Sequence, residues 1–283
     1  MTGQPFIKMH GLGNDFVVVD GRADGTRLSA AQARAVADRH TGVGCDQVII
    51  LEPPRDALAD LFMRIRNTDG SEAGACGNAT RCVASLVMGE TGADHAVIQT
   101  ISGLLDAEAR DGGLVAVDMG PARLDWRDIP LAEAHDTLHL PVTVGDLSDP
   151  VGVNMGNPHA VFFVNDVAAV PLEELGPRIE HHPLFPEFTN VQIAQVLDRA
   201  NIRHRVWERG VGITRASGSG ACATLVAAAR RGLTERRATV HLEGGPLHID
   251  WQPDGHVMMT GPVATSFTGH LDPALLDPAP LAG

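Results

Sequence analysis

The chain repeats itself at long range. Gly13-Asn14, leading into Phe16 and three valines, is answered by Gly156-Asn157 leading into Val161, Phe162, Phe163 and Val164. Cys76-Gly77-Asn78 is answered by Ser217-Gly218-Ser219, and Cys82 by Cys222. Each half then passes a glycine (Gly103, Gly245) and a turn pair (Asp111-Gly112, Asp254-Gly255), and closes on Gly120-Pro121 or Gly261-Pro262. The offset stays near 141 to 143 residues throughout. Landmarks in one order at one spacing are the mark of duplication, and a period this long means two domains of one fold rather than a solenoid. The expected division is residues 1–120, completed by 265–283, and residues 121–264.

Apolar runs at 17–19 and 161–164 are short enough for buried strands. Ser29 followed by Gln32 is a capping box, opening a helix expected to stop near Thr41-Gly42. Strand signals dominate residues 95–120 and 238–263, with Asp111-Gly112-Gly113 and Asp254-Gly255 as hairpin turns. Each half also holds one prominent helix, starting just after position 76 or 217, where Val83, Leu86 and Val87 or the alanine-rich run 221–231 fall at helical spacing. The fold class is α+β, made twice, each half a mostly antiparallel sheet around a central helix.

Several function classes fall away on composition. A net charge of -13 leaves no basic stripe to neutralise phosphates, so nucleic acid is not an expected partner. No apolar tract is long enough to span a membrane, and the opening MTGQPFIKMHG has no apolar signal core, so the expected compartment is the cytoplasm. There the four cysteines are thiols rather than a disulfide framework. No metal-ligand spacing occurs, His181-His182 included, and no glycine-rich nucleotide loop or pyridoxal lysine suggests a cofactor; none is expected.

The two helix starts carry the chemistry. Unpaired N–H groups and the positive end of the helix dipole attract an anion there and favour the thiolate of a cysteine. Glycines at 77, 218 and 220 let a ligand approach the backbone. The ligand suited to such a paired cradle is a carboxylate. The duplicated positions nevertheless differ: Cys76 is a thiol and Ser217 a hydroxyl.

These residues resemble the diaminopimelate epimerase family, through KMHGLGNDFVVVD, RHTGVGCDQ, RNTDGSEAGACGN, MGNPHAV, HHPLFPEFTNV, WERGVGITRASGSGAC and MMTGPV, along nearly the whole chain. The resemblance implies two pseudo-symmetric domains with the active site in the cleft between them, a homodimer, and cofactor-independent conversion of LL- to meso-diaminopimelate in lysine and peptidoglycan precursor synthesis. Inversion of an α-carbon removes a proton on one face and returns one on the other, so two acid/base groups must flank it. In the family both are cysteines. Cys76 matches the first, and the place of the second is taken by Ser217. His159 and Glu208 match groups that tune the pair. Asn14, Gln47, Asn67, Asn157 and Asn190 match substrate-contacting amides, the backbone at Gly77, Asn78, Gly218 and Ser219 matches the carboxylate cradle, and Arg209 matches the guanidinium that grips the distal carboxylate. Ala79 and Ile213 are further departures, from glycine and glutamate.

Taken singly, each residue has a plainer reading: a cysteine packs in a core, an asparagine forms a turn, and NPH is an exposed loop. Cys45, Cys82 and Cys222 keep the plainer one. The ordered set with its internal duplication outweighs it for the rest. Three functional readings stay open: the epimerase, weakened by Ser217; a racemase or one-base dehydratase of the same fold acting on another amino acid; and a catalytically silent amino-acid-binding protein.

Overall fold

The computed structural model describes residues 3–277. The chain divides into two compact units, one comprising the N-terminal stretch through Val117 with the segment from Gly261 onward, the other Asp118–Thr260. The elements of the first stretch are β1 (Gln4–Gly11), β2 (Asn14–Asp20), α1 (Ala30–Ala37), β3 (Gln47–Glu52), β4 (Leu61–Asn67), β5 (Glu72–Ala73), α2 (Gly77–Thr91), β6 (His95–Thr100), β7 (Gly103–Arg110) and β8 (Leu114–Pro121). A small hairpin, β9 (Thr143–Val144) and β10 (Leu147–Ser148), precedes β11 (Val151–Asn154), β12 (Pro158–Phe163), α3 (Leu172–Glu180), β13 (Asn190–Asp198), β14 (Asn201–Glu208) and β15 (Gly212–Ile213). Then come α4 (Gly218–Arg230), β16 (Arg237–Leu242), β17 (Gly245–Trp251), β18 (His256–Pro262), β19 (Ala264–Leu271) and α5 (Pro273–Leu276).

Strand pairing repeats the duplication step for step. In the first unit β1–β2 is antiparallel, β2–β3 parallel, β3–β4 and β4–β5 antiparallel, β4–β6 parallel, and β6–β7 antiparallel. The second unit follows the same order from β11–β12 to β16–β17. The parallel pairs arise where a helix lies between the strands, α1 between β2 and β3 and α3 between β12 and β13, since a parallel return needs a crossover. β19 returns to the first unit and pairs antiparallel with β1. The expected hairpin turns are present: Asp111–Gly113 joins β7 to β8 with Gly112 at φ 74°, and Gly255 at φ 96° lies between β17 and β18.

Consecutive apolar residues in a strand require cover on both faces. Val17, Val19, Val48 and Ile50 pack with Ala33, Val36 and Ala37 of α1. Phe16, Val18 and Ile49, alternating with them and therefore on the opposite face, are buried as well. That face, turned away from α1, is the inner one. α2 packs against β1, β6 and β7, and α4 against β11, β16 and β17. In α4 Gly218 and the whole run 220–228 are buried, so the helix is covered on all sides, which its small side chains permit.

Helix starts follow the sequence, and one helix end does not. Ser29 and Gln32 form the expected reciprocal capping box, and Cys76 and Ser217 are the N-caps of α2 and α4. α1 stops at Ala37 rather than near Thr41-Gly42. The Asp38 carboxylate accepts the backbone N–H groups of His40 and Thr41, and the N–H groups of Val43 and Gly44 turn back to Val36 O. An aspartate that satisfies the next amides itself competes with continued helix.

α3 is seated on Trp207 through Gly176, where an added Cβ would lie 2.6 Å from ring atoms. The indole N–H donates to Glu180 Oε2 at 2.6 Å, so the ring is not free to yield. Gly176→Ala gains about 1 kcal/mol of helix propensity but overpacks by about 1–3 kcal/mol. A lowered denaturant midpoint is expected, and an unchanged or raised one would show that the indole can move.

Candidate active site

In the first unit, groups from four segments meet at the start of α2. Cys76 is partly exposed, and its side chain makes no capping bond to its own helix. Its thiol lies 3.8 Å from Asn14 Oδ1, which also accepts from Asn78 Nδ2 at 3.1 Å. Asn14 Nδ2 donates to Asp46 Oδ2 at 2.9 Å, and Asp46 is gripped by Arg39 at 2.7 Å. Arg39 and Lys8 also hold Asp15. Burial pushes the Asp15 carboxyl up, but hydrogen bonds from Arg39 and Lys8 outweigh it and hold the pKa at about 2. Gln47 Nε2 donates across the sheet to Asn67 Oδ1 at 3.0 Å, and Asn67 Nδ2 donates to Ser71. Gln47 Oε1 and Asn78 Oδ1 are buried without a hydrogen-bond partner among the described residues. Two such acceptors are suited to a ligand N–H or ammonium.

In the second unit the corresponding helix start is more tightly tied. Ser217 is 3% exposed; its hydroxyl donates to Glu208 Oε2 at 3.1 Å and accepts from Gly220 N at 3.4 Å. Thr214 donates to the other oxygen of Glu208. Asn190 uses both ends of its amide on backbone, donating to Pro158 O at 2.8 Å and accepting from Arg209 N at 3.0 Å. It thereby sets the place of Arg209, whose exposed side chain donates to Glu187 O. A surface depression beside Arg209 is lined by Glu180, His181, Glu187, Phe188 and Trp207, and includes neither Ser217 nor Glu208.

His159 is fully buried, and burial pulls its pKa down to about 3, so the ring is neutral at pH 7. Its Nε2 lies 2.8 Å from Asn157 Oδ1 and its Nδ1 2.9 Å from Gln192 Nε2. Gly77, Gly218 and Ser219 occupy the first turns of α2 and α4, as expected. Ala79 is fully buried, whereas Ile213 in β15 is 37% exposed.

The duplication aligns these groups in pairs: Asn14 with Asn157, Phe16 with His159, Gln47 with Asn190, Asn67 with Glu208, Cys76 with Ser217 and Asn78 with Ser219. Each pair lies in, or immediately beside, the same end of the corresponding strand or helix of its unit. Among the residues that hold these groups, directly or through one another, Asp46, Thr214, Gln192 and His204 escaped the sequence reading. For Asp46 and Thr214 the signal was adjacency to a quoted motif residue. Gln192 betrayed itself only as a polar residue between apolar neighbours, and His204 as one flanked, two residues away, by apolar ones.

A duplicated sheet-and-helix fold, with a cysteine or a serine at the N-cap position of the buried helix of each unit, defines a class of two-unit α+β proteins. Solved structures share the architecture: a hydroxyproline epimerase from Agrobacterium vitis (17% identity, TM-score 0.68, covering 96% of this chain and 95% of that one) and a phenazine biosynthesis protein from Bacillus anthracis (15% identity, TM-score 0.68, covering 95% and 99%). The family model for diaminopimelate epimerase matches residues 6–124 and 151–266. Diaminopimelate epimerases from Rhodospirillum centenum and Acidiphilium cryptum are 65% and 56% identical to it, covering 96% and 98% of this chain and 93% and 99% of their own. The chain belongs to the diaminopimelate epimerase family.

Exposure separates Cys76 from the other cysteines. Cys45, Cys82 and Cys222 are buried, and burial pushes the Cys45 and Cys82 thiols up to about 11 and about 12. Cys76 is therefore expected to be alkylated first by iodoacetamide at neutral pH. Mass spectrometry finding any of the other three modified ahead of it would refute the assignment.

Proposed function

We propose that this chain epimerises LL-diaminopimelate to meso-diaminopimelate by removing and returning the α-proton between two side chains, in lysine and peptidoglycan precursor synthesis. The observation that carries the reading is the matched pair of N-caps, Cys76 on α2 and Ser217 on α4. Family membership supports the substrate, and the amides and Arg209 supply groups for an amino acid with a second charged end.

The Cys76 thiolate takes the α-proton on one face. The developing charge is stabilised by helix-start N–H groups around the α-carboxylate. The second proton must come from the Ser217 side, where the hydroxyl donates to Glu208 in the resting state. A thiol ionises near pKa 8.5 and an alcohol near 15.7, a difference of about seven units or on the order of 10 kcal/mol. Delivery from Ser217 therefore leaves a costly alkoxide unless its proton is replaced at once; Glu208 is the group in contact, and it can do so only in its protonated form, after taking up a proton from solvent. Inversion is slow for this reason, while binding is preserved, because serine occupies no more space than cysteine.

Ser217→Cys is expected to raise the inversion rate by several orders of magnitude. Proton NMR of LL-diaminopimelate in D2O separates the readings. Exchange of the α-proton without inversion is expected in the Ser217 chain, since Cys76 can return what it removed. Equal inversion rates for the two forms would exclude the two-base assignment, and binding without any exchange would favour a silent binding protein.

Removing the distal anchor bears on substrate identity. Arg209→Ala is expected to weaken calorimetric binding of meso-diaminopimelate by about tenfold or more. Unchanged affinity would point to another amino acid.

A further inference from the structure

The inner face of the second unit's sheet carries a polar trio that its twin does without. His159 in β12, Gln192 in β13 and His204 in β14 are 0%, 0% and 2% exposed. Their counterparts in the first unit, displaced by 143, 143 and 141 positions, are Phe16, Ile49 and Met63, equally buried. One chain thus closes the same layer of the same fold once with hydrocarbon and once with polar groups. The polar version gives up apolar burial and must satisfy its own donors, so packing does not account for it.

The direction of its hydrogen bonds is set at the far end. His204 Nδ1 is buried and has no hydrogen-bond partner among the described residues. Burial pulls both rings down to a pKa of about 3, so each carries a single proton. A proton on His204 Nδ1 would be an orphaned N–H, a rarer and costlier state than an unused lone pair. The proton therefore sits on Nε2 and donates to Gln192 Oε1 at 2.6 Å. That bond turns the Gln192 amide, whose Nε2 donates to His159 Nδ1. His159 must then carry its own proton on Nε2, which donates to Asn157 Oδ1. The carbonyl end of Asn157 is consumed and its NH2 end is left for a ligand.

The duplicated asparagine is turned the other way. Asn14 gives its NH2 end to Asp46, a carboxylate that can only accept, and keeps its oxygen toward Asn78 and Cys76.

We propose that Gln192 and His204 are positioning residues that hold His159 in its Nε2–H tautomer and, through it, fix Asn157 with its N–H groups toward a ligand carboxylate, opposite in sense to Asn14. Two asparagines presenting the same end would leave a duplicated scaffold unable to tell the ammonium side of an amino acid from its carboxylate side. Because the Asn14 oxygen already accepts from Asn78 and Cys76, Asn157 is the member of the pair that offers donors, and its N–H end penalises a reversed ligand that would bring an ammonium there. The orientation stands on this chain's own hydrogen bonds, and only the identity of the ligand rests on the epimerase reading.

Long-range proton–nitrogen NMR of the full 15N-labelled chain tests it without substrate. Two histidine rings are expected to stay neutral down to pH 5 with the proton on Nε2, the His204 signal being assigned by its loss in His204→Met. A proton on Nδ1 of either ring, or titration above pH 5, would overturn the proposal. The double variant Gln192→Ile/His204→Met installs the first unit's residues and leaves His159 in place. It is expected to keep its thermal midpoint, to lose the single His159 tautomer, and to bind meso-diaminopimelate about tenfold or more weakly. Undiminished binding by the folded variant would also overturn it. A parent chain that binds no diaminopimelate would instead sink the epimerase reading, with the tautomer result unaffected.

Discussion

A helix buried on all its sides can offer chemistry only at its ends. α4 is covered along nearly its whole length because the sheet of its unit wraps it, and the N-terminal half of α2, Asn78 through Ala84, is buried as well. Lateral burial removes the helix flanks from solvent and leaves the first turn as the place where N–H groups remain to be satisfied. The N-cap residues Cys76 and Ser217 stand at that turn in each unit. The strands deliver the remaining groups there, since the ends of β2, β3 and β4, and of β12, β13 and β14, carry Asn14, Gln47 and Asn67, and Pro158 beside Asn157, Asn190 and Glu208.

Duplication alone would give two equal half-sites, and α-carbon inversion does need a group on each side. The halves have diverged at several of the paired positions. Asn67 in one unit is Glu208 in the other, Asn78 is Ser219, and Phe16 is His159. The N-caps diverge as well: the Cys76 side chain makes no capping hydrogen bond and sets its thiol 3.8 Å from Asn14 Oδ1, whereas the Ser217 hydroxyl bonds both Gly220 N and Glu208. A hydroxyl is small and a good hydrogen-bonding group, so it settles into the cap role that a thiol fills poorly. The same property that makes Ser217 a sound structural residue makes it a weak proton carrier.

Much of this was open to a reading of residues alone. The duplication gave the repeated fold, the small residues after positions 76 and 217 gave the helix starts, and Ser29 with Gln32 gave the capping box. What failed was the end of α1, because the decision belonged to the Asp38 side chain and to the backbone fold-back onto Val36. The parallel pairing of β2 with β3 was likewise invisible, since hydrophobic pattern marks a strand without naming its neighbour.

The sequence by itself therefore determined the two-fold repetition, the element types and the membership of the chemical groups, because these depend on local pattern and on order along the chain. Only the tertiary structure decided the state of those groups. Burial makes His159 neutral, Asp46 turns the Asn14 amide, Gln192 sets the His159 ring that faces Asn157, and Asn190 is spent on holding Arg209, through partners 19 to 33 residues apart along the chain. Hydrogen-bond direction and burial are properties of neighbours in space, and no spacing along a chain encodes which donor will face which acceptor.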